Sequence, residues 1–92
     1  YHSLVIPKRH CKDYFELTQA EINSINNLIH IEKEKLQKLD KSITGFNIGV
    51  NCGEDAGQTI FHCHVHLIPR RKGDDKSPRG GVRKVIDGKG NY

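Results

Sequence analysis

Histidines recur at every second position in the run 57–71, GQTIFHCHVHLIPRR, at His62, His64 and His66. A spacing of two sets side chains on one face of an extended strand, so the three imidazoles share a face. Phe61, Cys63, Val65 and Leu67 then point the other way, and all four are residue types that favour burial. One face carries chemistry and the other carries core. Half of the six histidines fall within five consecutive positions. Side chains that titrate near neutrality, grouped in this way, suit proton transfer, nucleophilic attack or metal ligation. A zinc site is the alternative that the spacing leaves open, because alternate strand histidines can hold the ion through two or three nitrogens. No acidic residue lies between Asp55 and Asp74, so any further ligands must come from a distant segment.

The remaining chain reads as an α+β domain organised around that strand. Its 92 residues allow a single domain, 1–92, with one modest core, which a partner subunit would help to cover. Residues 2–7 form a short strand ended by Pro7, which fixes its own φ and removes a ladder donor. Residues 18–39 are predicted as the principal helix. Thr18 and Glu21 have the spacing of a capping box, and Ile22, Ile25, Leu28, Ile29, Leu36 and Leu39 make an apolar stripe. Residues 43–51 alternate as a second strand, with Phe46, Ile48 and Val50 on the core face and Gly45, Asn47, Gly49 and Asn51 on the other. For Asn47, an amide satisfied within the sheet and one contacting a ligand are equal expectations.

The turn 51–59 delivers the chain into the histidine strand. Gly57 can adopt positive φ, and with Gln58 and Thr59 it can aim N–H groups and a hydroxyl at phosphate oxygens. Beyond Pro69 the composition changes. Residues 70–92 hold eight of the fifteen basic residues against three acidic ones, a balance of +5, while residues 1–69 sum to −1. This basic tail suits an anionic, polyphosphate-bearing substrate, and its glycines also allow an irregular or disordered segment. Aromatics interleaved to stack bases are absent, which argues against nucleic acid as a partner. No apolar run approaches membrane-spanning length, and Cys11, Cys52 and Cys63 are an odd set without metal-like pairing. Reduced thiols and a cytoplasmic location are expected, with no membrane association.

His62-Cys63-His64-Val65-His66-Leu67-Ile68 resembles the defining pattern of the histidine-triad (HIT) superfamily of nucleotide hydrolases and transferases. Gly57-Gln58-Thr59, Pro69-Arg70 and the opening Leu4-Val5-Ile6-Pro7-Lys8-Arg9-His10 extend the likeness, and Pro78-Arg79-Gly80-Gly81-Val82-Arg83 resembles the ordered tail of bacterial and archaeal-type members. The resemblance implies a HIT-like antiparallel sheet with one principal helix. It also implies that a strand, a helix and a strand start precede the position of Tyr1, carrying apolar side chains that hold the nucleobase. By the same resemblance His64 attacks the α-phosphate of an adenine or guanine nucleotide and becomes nucleotidylated. His66 contacts phosphate or leaving group, and His62 orients His64. His2 matches an additional histidine beside the first triad position. Asn51, Gly57, Gln58 and Thr59 would hold ribose or phosphoryl oxygens.

The likeness is nearest to dinucleoside polyphosphate hydrolases, with nucleoside phosphoramidates as the other substrate class, and it implies a homodimer. No cofactor is required for the chemistry, and magnesium would arrive with the substrate. In a longer chain with an upstream cysteine pair, His10 and His62 would complete a structural zinc site. The other functional classes are a nucleotide-binding regulatory module with incidental turnover and a zinc-dependent hydrolase.

Overall fold

The principal helix, α1 (Gln19–Leu39), begins where the capping box requires. The Thr18 hydroxyl accepts from the Glu21 N–H at 3.2 Å, and the Glu21 carboxylate accepts from the Thr18 N–H at 2.9 Å. Arg9 clamps that same carboxylate through Nε and Nη2, which together with the cap lowers the Glu21 pKa to about 2. At the far end Asp40 accepts from both the backbone and the hydroxyl of Ser42 and from Arg71, and its pKa also falls to about 2. One carboxylate thus ties the end of the helix to the end of the histidine strand. The computed structural model describes residues 1–86, 88 and 89.

Three strands form one antiparallel sheet in the order β1 (Ser3–Val5), β3 (Val65–Arg71), β2 (Ile43–Gly49). The central strand, β3, pairs Leu4 with His66 and Val5 with Val65 on one side, and Gly49 with His66 and Ile48 with Leu67 on the other. It starts at Val65, later than the alternation predicts, so His62, in a bend, and His64, in irregular backbone, precede the paired strand. Proline chemistry accounts for the late start. The β1–β3 register, carried two residues further, would set Pro7 opposite Cys63, and Pro7 has no N–H to donate. The ladder stops there, and the Cys63 N–H instead donates to the Cys11 carbonyl at 2.7 Å.

Burial follows the expected period of two nevertheless. Cys63, Val65, Leu67 and Pro69 are buried, while His62, His64, His66, Ile68 and Arg70 are partly exposed. The core has two clusters. Val5, Ile25 and Val65 form one with Leu17, Ile29 and Val50, and Leu36, Ile43 and Leu67 form the other with Ile29 and Phe46. Ile29 of α1 joins both. Phe61, expected in the core, is 45% exposed because it lies before the strand, where bends break the alternation. Ile48, at the sheet edge, is also half exposed. On α1 the buried stripe is narrower than predicted: Leu28 and Leu39 are exposed, and with Ile31 they form a second apolar stripe beside it.

Beyond β3 the described part of the tail is folded. Asp74 accepts from Arg70 and from the Arg71 N–H, Lys84 Nζ donates to the Ser77 carbonyl, and a 3-10 turn, Gly81–Val85, lies against β2. The last part of the predicted basic tail, Asp87, Gly90, Asn91 and Tyr92, lies outside the described residues.

Candidate active site

His62, His64, His66 and His2 assemble into one cluster, but by different contacts from those the spacing suggests. His64 Nδ1 lies 2.8 Å from the backbone carbonyl of His62. A carbonyl oxygen only accepts, so the neutral His64 ring carries its proton on Nδ1 and presents a bare lone pair at Nε2. The His62 imidazole takes no part in this bond. Its Nε2 donates to the Pro7 carbonyl at 3.0 Å, which anchors the unpaired segment to the end of the first strand. His62 orients His64, but through its main chain.

The place of His2 also differs from the expectation. It sits beside the last of the three histidines, His66, and not the first, with Nε2 at 2.9 Å from His66 Nδ1 and ring centroids 5.0 Å apart. The register explains this, since Leu4 pairs with His66 and the chain end before β1 therefore reaches the level of that residue. His64 and His66 stand edge to face with centroids 5.2 Å apart. Burial, then the neighbouring His2 and His64, lower the pKa of His66, which favours its neutral form. A neutral His66 whose Nδ1 accepts from His2 carries its own proton on Nε2, the tautomer that can donate outward.

The loop residues divide. Gly57 has φ of 91° and caps the 3-10 turn Glu54–Ala56, and a Cβ there would lie 3.6 Å from Asn51 Nδ2. Positive φ is thus used at the predicted glycine. Gln58, expected to hold phosphate, is instead committed to the protein. It is 2% exposed, its Oε1 accepts from Gly53 N–H at 2.8 Å, and its Nε2 donates to the carbonyls of Lys12 and Ile60. A fully bonded buried amide has no capacity left for a ligand, and Gln58 acts as the knot of the loop. Thr59 and Asn51 remain exposed.

His10 and His62 do lie together, with ring centroids 5.4 Å apart. No group of three or more His, Cys, Asp or Glu among the described residues could hold a metal ion, so this pair is at most half of a site. All three cysteines are free thiols, with Cys11 and Cys63 buried, and burial pushes the Cys63 thiol up to about 11.

Sequence reasoning missed two elements. Arg70 Nη1 donates to Asn47 Oδ1 at 2.6 Å, a side-chain pair linking the outer face of β2 to β3. The 3-10 turn Gly81–Val85 faces the same side of the sheet, leaving an open chamber of about 1000 Å³ between them. Asn47 and Arg70 share the histidine face because both fall at the matching parity of the register, a signal available only once strand pairing is known.

A three-stranded antiparallel sheet with one long helix on its core face and a histidine cluster on the other defines an α+β domain with a histidine-bearing face. The chain belongs to the HIT family: the HIT domain matches residues 1–73. It is 40% identical over 73 residues to a bis(5′-nucleosyl)-tetraphosphatase (asymmetrical) of Schizosaccharomyces pombe, covering 79% of this chain and 40% of that protein. It is 36% identical over 86 residues to an uncharacterised HIT-like protein of Methanocaldococcus jannaschii, covering 94% and 65%. The solved structure of the Plasmodium falciparum diadenosine triphosphate hydrolase, 36% identical, superposes with a TM-score of 0.73 over 83% of this chain and 51% of that one. The chain therefore spans about 40 to 65% of the length of these relatives. No helix among the described residues is long and apolar enough to cross a membrane.

Proposed function

We propose that this domain is a nucleotidyl hydrolase or transferase that cleaves at the α-phosphate of a dinucleoside polyphosphate or nucleoside phosphoramidate by two displacements through His64. The observation that carries this reading is the His64 Nδ1 to His62 carbonyl bond, which leaves Nε2 unprotonated and pre-aimed. His64 Nε2 attacks phosphorus as the bond to the leaving atom breaks; the His2–His66 pair enters this step with one proton in excess, so His66 gives that atom its Nε2 proton as its Nδ1 takes the proton of His2 Nε2, and both rings end neutral. Water then attacks the same phosphorus and its proton returns to the His2–His66 pair, the N–P bond breaks with its electron pair going back to His64 Nε2, and the nucleoside monophosphate departs. Asn51, Gly57 and Thr59 at the loop are placed to hold ribose or phosphoryl oxygens, and the relatives named for hydrolysis of such substrates support the class.

No step passes through a transition metal, since zinc on His64 would occupy the lone pair that the attack needs. A structural zinc would take His10 and His62 with two ligands from outside residues 1–92. The three free thiols favour a cytoplasmic setting.

Trapping tests the covalent step. Rapid denaturation at alkaline pH during turnover of diadenosine tetraphosphate or adenosine phosphoramidate should leave a nucleotide on the peptide containing His64, located by mass spectrometry. A chiral α-phosphorothioate substrate should react with net retention. Net inversion with no adduct sinks the covalent route, and saturable binding without turnover of either compound replaces the enzyme by a binding module.

The same reading includes a symmetric homodimer. The stripe of Leu28, Ile31 and Leu39 on α1 is apolar and uncovered in the single chain, and a small core gains from burying it. Sedimentation at tens of micromolar should give twice the chain mass. Leu28→Glu should return it to one chain mass, and a wild-type monomer under those conditions removes the dimer from the account.

A further inference from the structure

Asn47 and its neighbours form a feature that the two-displacement reading leaves unused. The chamber on the histidine face begins at His2 and His66 and runs along β3 away from His64, toward Arg70. Asn47 pairs with Ile68, two residues beyond His66, so it stands about 7 Å further along the strand direction. Its Oδ1 is held by Arg70 Nη1 at 2.6 Å. Arg70 is itself fixed, because Asp74 takes its Nε and Nη2 in a two-bond fork at 3.0 Å each. With the oxygen end bound, the amide cannot rotate without breaking a charge-assisted bond, and Nδ2 must face the opposite way. That way is the 3-10 wall, where a Cβ on Gly81 would come within 3.5 Å of Nδ2.

The lining of the chamber defines what it can accept. Ile68 of the sheet and Val82, Val85 and Ile86 of the tail line it, all partly or largely exposed. Asp55 and Asp75 are its acidic lining residues, and its arginine is already paired. At its Asn47 end, away from Asn51 and Gly57, aliphatic walls with no unpaired cation among the lining residues disfavour a phosphate chain and suit a flat organic ring. In an in-line displacement the leaving group departs opposite the nucleophile, and here the far side of His66 from His64 is the mouth of the chamber.

We propose that this chamber is the leaving-group subsite, that Asn47 Nδ2 is the hydrogen-bond donor that recognises a nucleoside there, and that Arg70 is its positioning residue. The proposal rests on the two-displacement reading and extends it by assigning the discrimination of leaving groups to a sheet amide and the tail. The substrate class selected is one whose departing portion ends in a second nucleoside, joined through phosphates that stay near the histidines.

The test compares two substrates that share adenosine and a tetraphosphate chain and differ in the second nucleoside: diadenosine tetraphosphate and adenosine 5′-tetraphosphate. The readout is the ratio of their kcat/KM values. Wild type should favour the dinucleoside. Asn47→Asp keeps the acceptor for Arg70 and removes the donor, and its added charge repels adenosine 5′-tetraphosphate, with its extra ionised oxygen, more than the dinucleoside, so the charge opposes a fall in the ratio and cannot produce one. That ratio should fall about tenfold, the loss of one hydrogen bond to a buried ring. Asn47→Leu, without the charge, should lower the ratio by the same factor. Arg70→Lys, which loses the fork but keeps the charge, should lower it by a smaller factor and mainly through KM for the dinucleoside. A wild-type ratio near one, or variants that slow both substrates in parallel, overturns this subsite while leaving the His64 chemistry in place. Turnover of neither substrate by wild type overturns both readings.

Discussion

His64→Ala should reduce turnover by 10⁴-fold or more, on the order seen when a covalent nucleophile is removed, while leaving nucleotide binding within a few-fold of wild type. The size follows from the geometry. Nε2 is the atom freed by the Nδ1 bond to the His62 carbonyl, and no other ring in the cluster has its tautomer set by a main-chain acceptor in that position. His66→Ala should cost about 10²–10⁴-fold, because a missing general acid slows the departure step without closing the route. His62→Ala keeps the carbonyl that orients His64 and loses only the bond to Pro7, so its cost should be about 10- to 100-fold, in the range for residues that hold a catalytic group in place. Steady-state rates for the three variants, with equilibrium dialysis of the product nucleotide, check the order. Equal losses at His62 and His64 would place the nucleophile elsewhere.

Leu67→Ala should be the most destabilising single truncation of the core, at about 3 kcal/mol within the 2–5 kcal/mol range for buried leucines. Leu67 is 1% exposed, sits on the central strand, and packs with Leu36 of α1 and Ile43 of β2. The neighbouring backbone is held from both sides by Ser3 and Ile48, so the site cannot collapse to fill the void. For a domain of this size, total stability is about 5–14 kcal/mol, and a loss of 3 kcal/mol lowers the midpoint of thermal unfolding by about 12–24 °C. Phe15→Ala, at a side chain 81% exposed, should cost under about 1 kcal/mol. Urea titration of the two variants measures both values, and a loss below 1 kcal/mol for Leu67→Ala would show that the two core clusters do not act as one.

Acid behaviour adds a check on the polar frame. Glu21, Asp40 and Asp74 all have pKa values lowered to about 2 by their arginine and cap partners. Carboxylates depressed in the folded state contribute stability that is present above their ordinary pKa and is lost as pH falls from about 4 to 2. These groups are partly exposed, so each contribution is small and screened by salt.

What was legible in the sequence was local or periodic. The Thr18–Glu21 pair located the start of the helix because a capping box is a contact between residues three apart, and the helix runs Gln19–Leu39 as the stripe of isoleucines and leucines required. The period of two in residues 62–70 correctly separated the histidine face from Cys63, Val65 and Leu67: alternation follows from the strand at Val65–Arg71, and the burial pattern continues it back to His62. The glycine at 57 announced its own positive φ.

Tertiary structure decided everything that depends on which strand lies beside which. The partner of His2 is His66 because β1 pairs with β3 in one particular register, and a shift of two residues would have put it elsewhere. Gln58 turned from a ligand contact into a structural knot because Lys12, 46 positions away, brings a carbonyl to it. Leu28 and Leu39 fell outside the core because α1 contacts the sheet along a line narrower than its apolar surface. Asn47 was undecided in sequence, since an amide has both a donor and an acceptor end. Only the arrival of Arg70 from the neighbouring strand determined which end is bound.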